Sequence, residues 1–438
     1  MSIVSTPIRP RERDAVIQSL RAGVVPRAGQ HLVQVGRAKE IEALVGDMNR
    51  VSDGGSAFRF VIGEYGAGKT FFLNLVRSVA MEKKLVVATA DLNPDRRLQA
   101  SGGQARSLYA ELMRNLATRT RPDGGALPGI VEKFISNAQA EAQAAGTAPE
   151  QLVRQKLENL TELVNGYDFA DVLGAYYRGF KEQNEDLKAN AVRWLRGEFS
   201  TKTEARQALG VRSIVDDDSV YDQLKLLARF VRLAGFGGLV VALDELVNLY
   251  KLSNTQARNG NYEQILRILN DSFQGTSVGL GFLLGGTPEF LLDTRRGLYS
   301  YPALQSRLAQ NTFATGALVD FAGPVLRLSS LAPEDFFVLL QKIRHVYAAG
   351  DSVRHLLPDE GITRFMEHCS SRIGDAYFRT PRTTIVAFVN LLAVLEQNGT
   401  ASWQQLLGTL DVSPDLDPSA GMQDVGQVDA DFATFKLS

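Results

Sequence analysis

A chain of 438 residues, set against the roughly 150 expected per domain, predicts two or three domains and excludes a disulfide-stapled miniprotein or a simple peptide module. Its 45% hydrophobic and 22% charged residues exclude a wholly disordered or collagen-like chain. The 48 basic and 49 acidic residues leave a net charge of -1, so nucleic-acid binding cannot be argued from the whole molecule and could come only from local patches.

No apolar run approaches the roughly 18 to 20 residues needed to cross a bilayer, and residues 1–13 are Pro/Arg-rich without an apolar signal region. The expectation is a cytoplasmic protein with no membrane role. One cysteine, Cys369, and four histidines give neither an internal disulfide nor a zinc-type spacing. After residue 400 the chain holds six Asp and only Lys436 as a base. The stretch 411–431 therefore reads as an acidic, poorly ordered terminus or as a docking peptide.

Residues 14–23 carry helical spacing (Ala15, Val16, Ile17, Leu20) and stop at a glycine before Val24-Val25-Pro26. Residues 38–51 repeat apolar positions at three and four (Ile41, Leu44, Val45, Met48) and close at an Asp-Gly-Gly-Ser turn. Residues 58–62 form a short apolar strand that runs into a glycine-rich turn, and helical spacing resumes over 70–81. Residues 85–90 give a second strand ending at Asp91. From 104 to about 234 the pattern is helical almost throughout. A strand–helix–strand crossover takes only about 30 residues, so an inserted helical subdomain over about 120–215 is expected. Strands return at 239–243 and 279–284, with a helix over 262–273 between them. Helical segments then follow at 334–347, 359–369 and 383–397. No solenoid-type repeat is present.

The sharpest motif is Gly63-Glu64-Tyr65-Gly66-Ala67-Gly68-Lys69-Thr70, a complete G-x-x-x-x-G-K-T between a strand and a helix. Its glycines let backbone N–H groups point at phosphates, and the helix N-terminus adds partial positive charge. Lys69 can reach β/γ oxygens, and the Thr70 hydroxyl suits Mg2+. Phe71 follows directly and is counted with the nucleotide-binding residues; Tyr65 packs or faces solvent. The run 239–243 ends in Asp244-Glu245, where Asp244 can hold the Mg2+ water shell and Glu245 can act as general base towards the attacking water. The bland alternative is an acidic helix cap. The strand over 279–284 leads into Gly285-Gly286-Thr287-Pro288, where Thr287 is either a γ-phosphate sensor or part of a plain turn. Arg307, and Arg382 at a helix start, could each meet a phosphate. Either could instead be a salt-bridged surface arginine.

The order phosphate loop, Asp91, Asp244/Glu245, Thr287, then a helical segment with an arginine at a helix start, resembles an AAA+/STAND-type ATPase of the origin-recognition kind over about 35–395. That resemblance implies an α/β fold: a parallel-sheet P-loop NTPase (AAA+-like) core with a helical insertion and a C-terminal helical lid. The implied division is a lead-in over 1–34, a core over 35–325, a lid over 326–400 and an acidic tail over 401–438. Val35-Gly36-Arg37 with Glu40 is similar to the box that lies near the adenine in those proteins, which gives Arg37 a nucleotide-side role. The long helical insert departs from their compact pattern.

A nearer likeness lies in Arg21-Ala22-Gly23-Val24-Val25-Pro26, then Val35-Gly36-Arg37, then Gly68-Lys69-Thr70-Phe71-Phe72-Leu73. These stretches resemble the ATP-binding proteins of bacterial phage-defence operons of the BREX (BrxD-like) and Shango types. The resemblance implies an ATPase with ATP and Mg2+ as cofactors, working beside operon partners (in Shango a helicase and a TerB-domain protein), with DNA as an effector. Three functional readings follow: an ATP-driven switch or motor subunit, a nucleotide-gated scaffold with slow turnover, and a DNA loader or helicase component. An arginine acting in trans would require a homo-oligomer. Arg193, Arg196, Lys202, Arg206 and Arg212, interleaved with Trp194 and Phe199, read either as a nucleic-acid surface or as a solvated helix face.

Overall fold

The structure, a computed structural model, describes residues 8–314, 318–373 and 381–409. The acidic stretch 411–431 and Thr380 lie outside the described residues. By contacts the chain forms two units: a sheet unit of residues 36–64 and 68–330, and a helical unit drawn from 1–35 and 331–438 that also includes Tyr65–Ala67.

The sheet unit is built on five strands, β1 (Ser56–Ile62), β2 (Val86–Asp91), β3 (Leu239–Asp244), β4 (Leu280–Gly286) and β5 (Val325–Arg327). All paired strands are parallel, in the order β2-β3-β4-β1-β5. Their near-continuous apolar runs are what a sheet buried on both faces requires. Side-chain alternation divides each strand between two cores. Phe58, Phe60, Val86, Ala88, Val241 and Phe282 point to one, while Ala57, Val61, Val87, Val240 and Leu283 point to the other. The second core is closed by the helices Ala38–Ser52 and Lys69–Glu82 through Leu44, Met48, Val51, Phe72, Leu73 and Val76. β5 has only three residues, too few for periodicity to show. Its register against β1, Phe60↔Val325 to Ile62↔Arg327, is what makes it a strand.

The long region between β2 and β3 folds as helices, among them Leu127–Ala145, Pro149–Thr161, Gly166–Glu182, Glu185–Leu195 and Lys202–Leu209. These helices share one apolar cluster with the first sheet face. Phe230, on the helix Val220–Leu233, meets Phe134 at 5.4 Å and Phe169 at 6.1 Å, and Phe169 meets Trp194 at 6.2 Å. The insertion is thus continuous with the core of the sheet unit.

β1 also carries a charge into the interior. Arg59 donates to Asp47 on the helix Ala38–Ser52 at 2.5 Å and to the Gly323 carbonyl. Both side chains of the pair are almost fully buried.

In the helical unit segments distant in sequence meet. The helix Pro10–Arg21 packs on Pro333–Tyr347 and Pro381–Gln397. Arg13 donates to the Tyr347 carbonyl at 2.9 Å, Tyr347 donates to Glu396 at 2.6 Å, and Arg21 reaches Asn390 at 3.2 Å. Val16, Leu20, Phe336, Leu340, Ile343, Phe365 and Phe388 are buried there. The lead-in is therefore packed as part of this unit. Among the described residues, no helix is long and apolar enough to cross a membrane.

Candidate functional site

The glycine-rich loop runs from the end of β1 to the N-terminus of the helix Lys69–Glu82. Gly66 and Gly68 both have φ of 77°, a left-handed backbone in which any Cβ is strained. At its start the loop is tied to the sheet, since the Gly63 N–H donates to the Gly286 carbonyl at 3.2 Å. The ends of β1 and β4 therefore lie side by side, and Thr287 follows immediately after β4.

Lys69 folds back over the loop, donating to the carbonyls of Gly63 at 2.8 Å and Glu64 at 2.9 Å. Desolvation pushes its ammonium below the ordinary lysine range, opposed by the charges of Asp244, Glu245, Glu64 and Glu289. The Thr70 hydroxyl donates to Asp244 Oδ2 at 2.8 Å. That bond joins the loop to the end of β3, so the two sequence motifs form one site. Asp244 is buried, and its other oxygen accepts from the Glu245 N–H at 2.9 Å.

Glu245 has φ of 60°, a left-handed conformation uncommon outside glycine and asparagine. Desolvation, then the charge of Asp244, then that of Asp91, push its carboxyl above the ordinary glutamate range. Asp91 stands level with Asp244 across the parallel β2–β3 pair. Desolvation and Asp244 push it up as well. Three carboxylates from two adjacent strand ends thus share one field, and Lys69 offsets the two at the β3 end, Asp244 and Glu245.

Thr287 caps the short helix Pro288–Leu292, its hydroxyl oxygen accepting the Phe290 N–H at 3.4 Å. Arg37, itself left-handed at φ of 57°, stands beside the loop's exit. Its guanidinium lies over the Phe72 ring at 5.9 Å and donates to the Ser329 carbonyl at 3.2 Å. Phe71 is half-buried. Arg307 is committed to its own neighbourhood, donating to Asn270 at 2.8 Å and to the Ala303 carbonyl at 2.9 Å. Arg382 belongs to the helical unit, where it lies against Gly23.

The basic stretch of the insertion offers no stacking platform. Trp194 and Phe199 are each only 1% exposed, and the Trp194 indole donates to the Ser213 carbonyl at 2.8 Å. Arg193 lies over Phe199 at 4.5 Å while paired to Glu204 at 2.9 Å.

Two contributors escape a sequence reading. Gly285 lies against the Asp244 carboxylate, and its signal was a Gly-Gly pair closing an apolar strand, a pattern that marks close approach. Asn248 donates from its side chain to the Leu92 carbonyl at 2.8 Å. Nothing in its local spacing announced that partner.

A parallel sheet with a G-x-x-x-x-G-K-T loop between β1 and its helix, and an acidic strand end hydrogen-bonded to that loop, defines a P-loop NTPase of the α/β class. The chain belongs to the family of BREX system ATP-binding proteins BrxC/D, which matches residues 8–411. It is an ATP-binding protein of that phage-defence system. No curated protein matches it.

Proposed function

We propose that the chain binds Mg-ATP across residues 63–70 and 244–245, hydrolyses it, and uses the cycle as a conformational switch or motor stroke in antiphage defence, with DNA as effector. The observation that carries this reading is the Thr70–Asp244 hydrogen bond. Among the described residues, no group of three or more His, Cys, Asp or Glu could hold a metal ion. A phosphate-bound magnesium needs no such group, because phosphates and waters fill most of its octahedron. A hydroxyl and a carboxylate beside a phosphate loop fit that ion, Thr70 as direct ligand and Asp244 through water. When bound, magnesium neutralises charge developing on the phosphate oxygens.

The chain's own groups supply the rest. Backbone N–H groups of the loop and the helix start face the phosphates. Lys69 exchanges its two carbonyl partners for phosphate oxygens. Glu245, with its carboxyl held above the ordinary range, takes the proton of the attacking water. The Thr287 oxygen is engaged as a helix cap, which leaves its O–H to donate to the γ-phosphate or its water. Arg37 flanks the nucleotide, and Arg307 or Arg382 meets a phosphate, either within the same chain or from a neighbouring copy in a homo-oligomer. In this proposal the helical unit acts as the lid, and the partners are the other proteins of the operon, a helicase and a TerB-domain protein among them.

The test is ATP turnover and ATP retention in wild type, Lys69→Ala and Glu245→Gln, each with and without duplex DNA. The expectation is loss of binding in the first variant, and retained ATP without cleavage in the second. DNA should raise wild-type turnover; stimulation only by a partner protein would favour the scaffold reading. Equal turnover in wild type and Glu245→Gln would remove Glu245 as the base.

A further inference from the structure

Behind Glu245 the backbone closes into a hydrogen-bonded ring. The Glu245 carbonyl accepts the Asn248 N–H at 3.0 Å. The Asn248 side-chain amide donates to the Leu92 carbonyl at 2.8 Å, and the Leu92 N–H donates to the Asp244 carbonyl at 3.0 Å. One side chain, Asn248, completes the ring, tying the turn after β3 to the residue that follows β2. A further bond, Leu246 N–H to the Gly285 carbonyl at 3.1 Å, anchors the same turn on the β4 side.

Glu245 needs such support. A left-handed φ at a non-glycine residue persists only where the surroundings hold it, and it relaxes when they do not. Relaxation would turn the Glu245 side chain away from its neighbours Asp244 and Asp91. The Asn248 amide is a donor held by geometry. An aspartate of the same shape offers the Leu92 carbonyl no hydrogen and repels it.

We infer that Asn248 is a positioning residue for hydrolysis, locking the left-handed turn that aims Glu245 while leaving nucleotide binding to the phosphate loop. This inference rests on the proposed role of Glu245 as base. It predicts a separation that a loosened fold would not give. Misaiming a catalytic group by about 1 Å costs on the order of a hundredfold in rate, whereas the groups that hold ATP lie on the other side of Asp244.

The experiment measures kcat, KM and ATP retention by the full chain for Asn248→Ala, the isosteric Asn248→Asp, and Asn248→Ala combined with Glu245→Gln, with thermal melting recorded for each. The expected result is a kcat lowered about ten- to a hundredfold in both single variants, with KM and ATP retention within about twofold, and no loss in the double variant beyond that of Glu245→Gln under single-turnover conditions. If Asn248→Ala melts early, Asn248→Asp carries the test. A kcat unchanged from wild type, ATP retention lost in parallel with kcat, or an additive loss in the double variant would each overturn the inference. Full turnover by Glu245→Gln alone would instead overturn the base assignment beneath it.

Discussion

Gly285 on β4 faces Asp244 on β3 with no room between them: a Cβ on Gly285 would overlap the Asp244 Oδ1 atom and press on Leu73 at 3.0 Å. The carboxylate proposed to hold the magnesium shell is therefore packed against a neighbouring strand, and its orientation is set by the absence of a side chain there. β4 lies between β1 and β3, so it acts as the spacer that sets how the phosphate loop and the acidic strand end meet.

Replacing that glycine should disturb chemistry more than folding. Gly285→Ala is expected to cost about 1–3 kcal/mol of stability, the usual penalty for overpacking. It should also displace Asp244 and break its bond from Thr70. The measurement is ATP turnover against magnesium concentration, with the half-saturating concentration shifted upward and kcat lowered at least about tenfold. A variant that melts early yet shows wild-type magnesium dependence would show that Gly285 serves packing alone.

The buried Arg59–Asp47 pair makes a prediction about the sheet unit. Removing one partner leaves an uncompensated charge inside β1, so Asp47→Ala should destabilise by about 3–5 kcal/mol in urea unfolding. Replacing both, as Asp47→Leu with Arg59→Met, should recover most of that loss, because the desolvation cost disappears with the charges. A double variant as unstable as the single one would mean that the guanidinium's bond to the Gly323 carbonyl, rather than the ion pair, holds β5 and its approach in place.

The raised Glu245 carboxyl gives a pH dependence. A general base acts unprotonated, so kcat/KM should fall as pH is lowered through a midpoint above the 4.5 of an ordinary glutamate. Asp91→Asn removes one of the charges that push Glu245 up and should move that midpoint down. Stability shifts in the opposite sense. Between 4.5 and the raised value the folded state binds more protons than the unfolded, so this group's contribution is full below 4.5 and is lost as pH rises through the folded value. A pH–rate profile unchanged by Asp91→Asn would show that the two carboxylates do not share a field.

Much of the site was legible because its chemistry is local. A phosphate loop needs consecutive backbone N–H groups and a helix start, so Gly63 to Thr70 had to appear as one uninterrupted pattern. The four longer strands announced themselves as largely apolar runs, since a strand buried on both faces has few polar positions; Arg59 in β1 is the exception that needs a buried partner, Asp47. Asp244 and Glu245 stood out as charges closing such a run.

The sequence by itself determined the class of core, and it singled out the candidate loop, the candidate acidic pair and the helical run between β2 and β3. Only the tertiary structure decided that Thr70 and Asp244, 174 positions apart, would share a hydrogen bond. It also decided that β4 would separate their strands and that three residues at Val325–Arg327 would become a strand. It joined the insertion to the sheet's own core and the helix Pro10–Arg21 to the C-terminal helices. The reason is physical: periodicity reports which face of a segment is buried, but not what buries it. Partners such as Asn248 and Leu92 are chosen by strand order and packing, which local spacing does not encode.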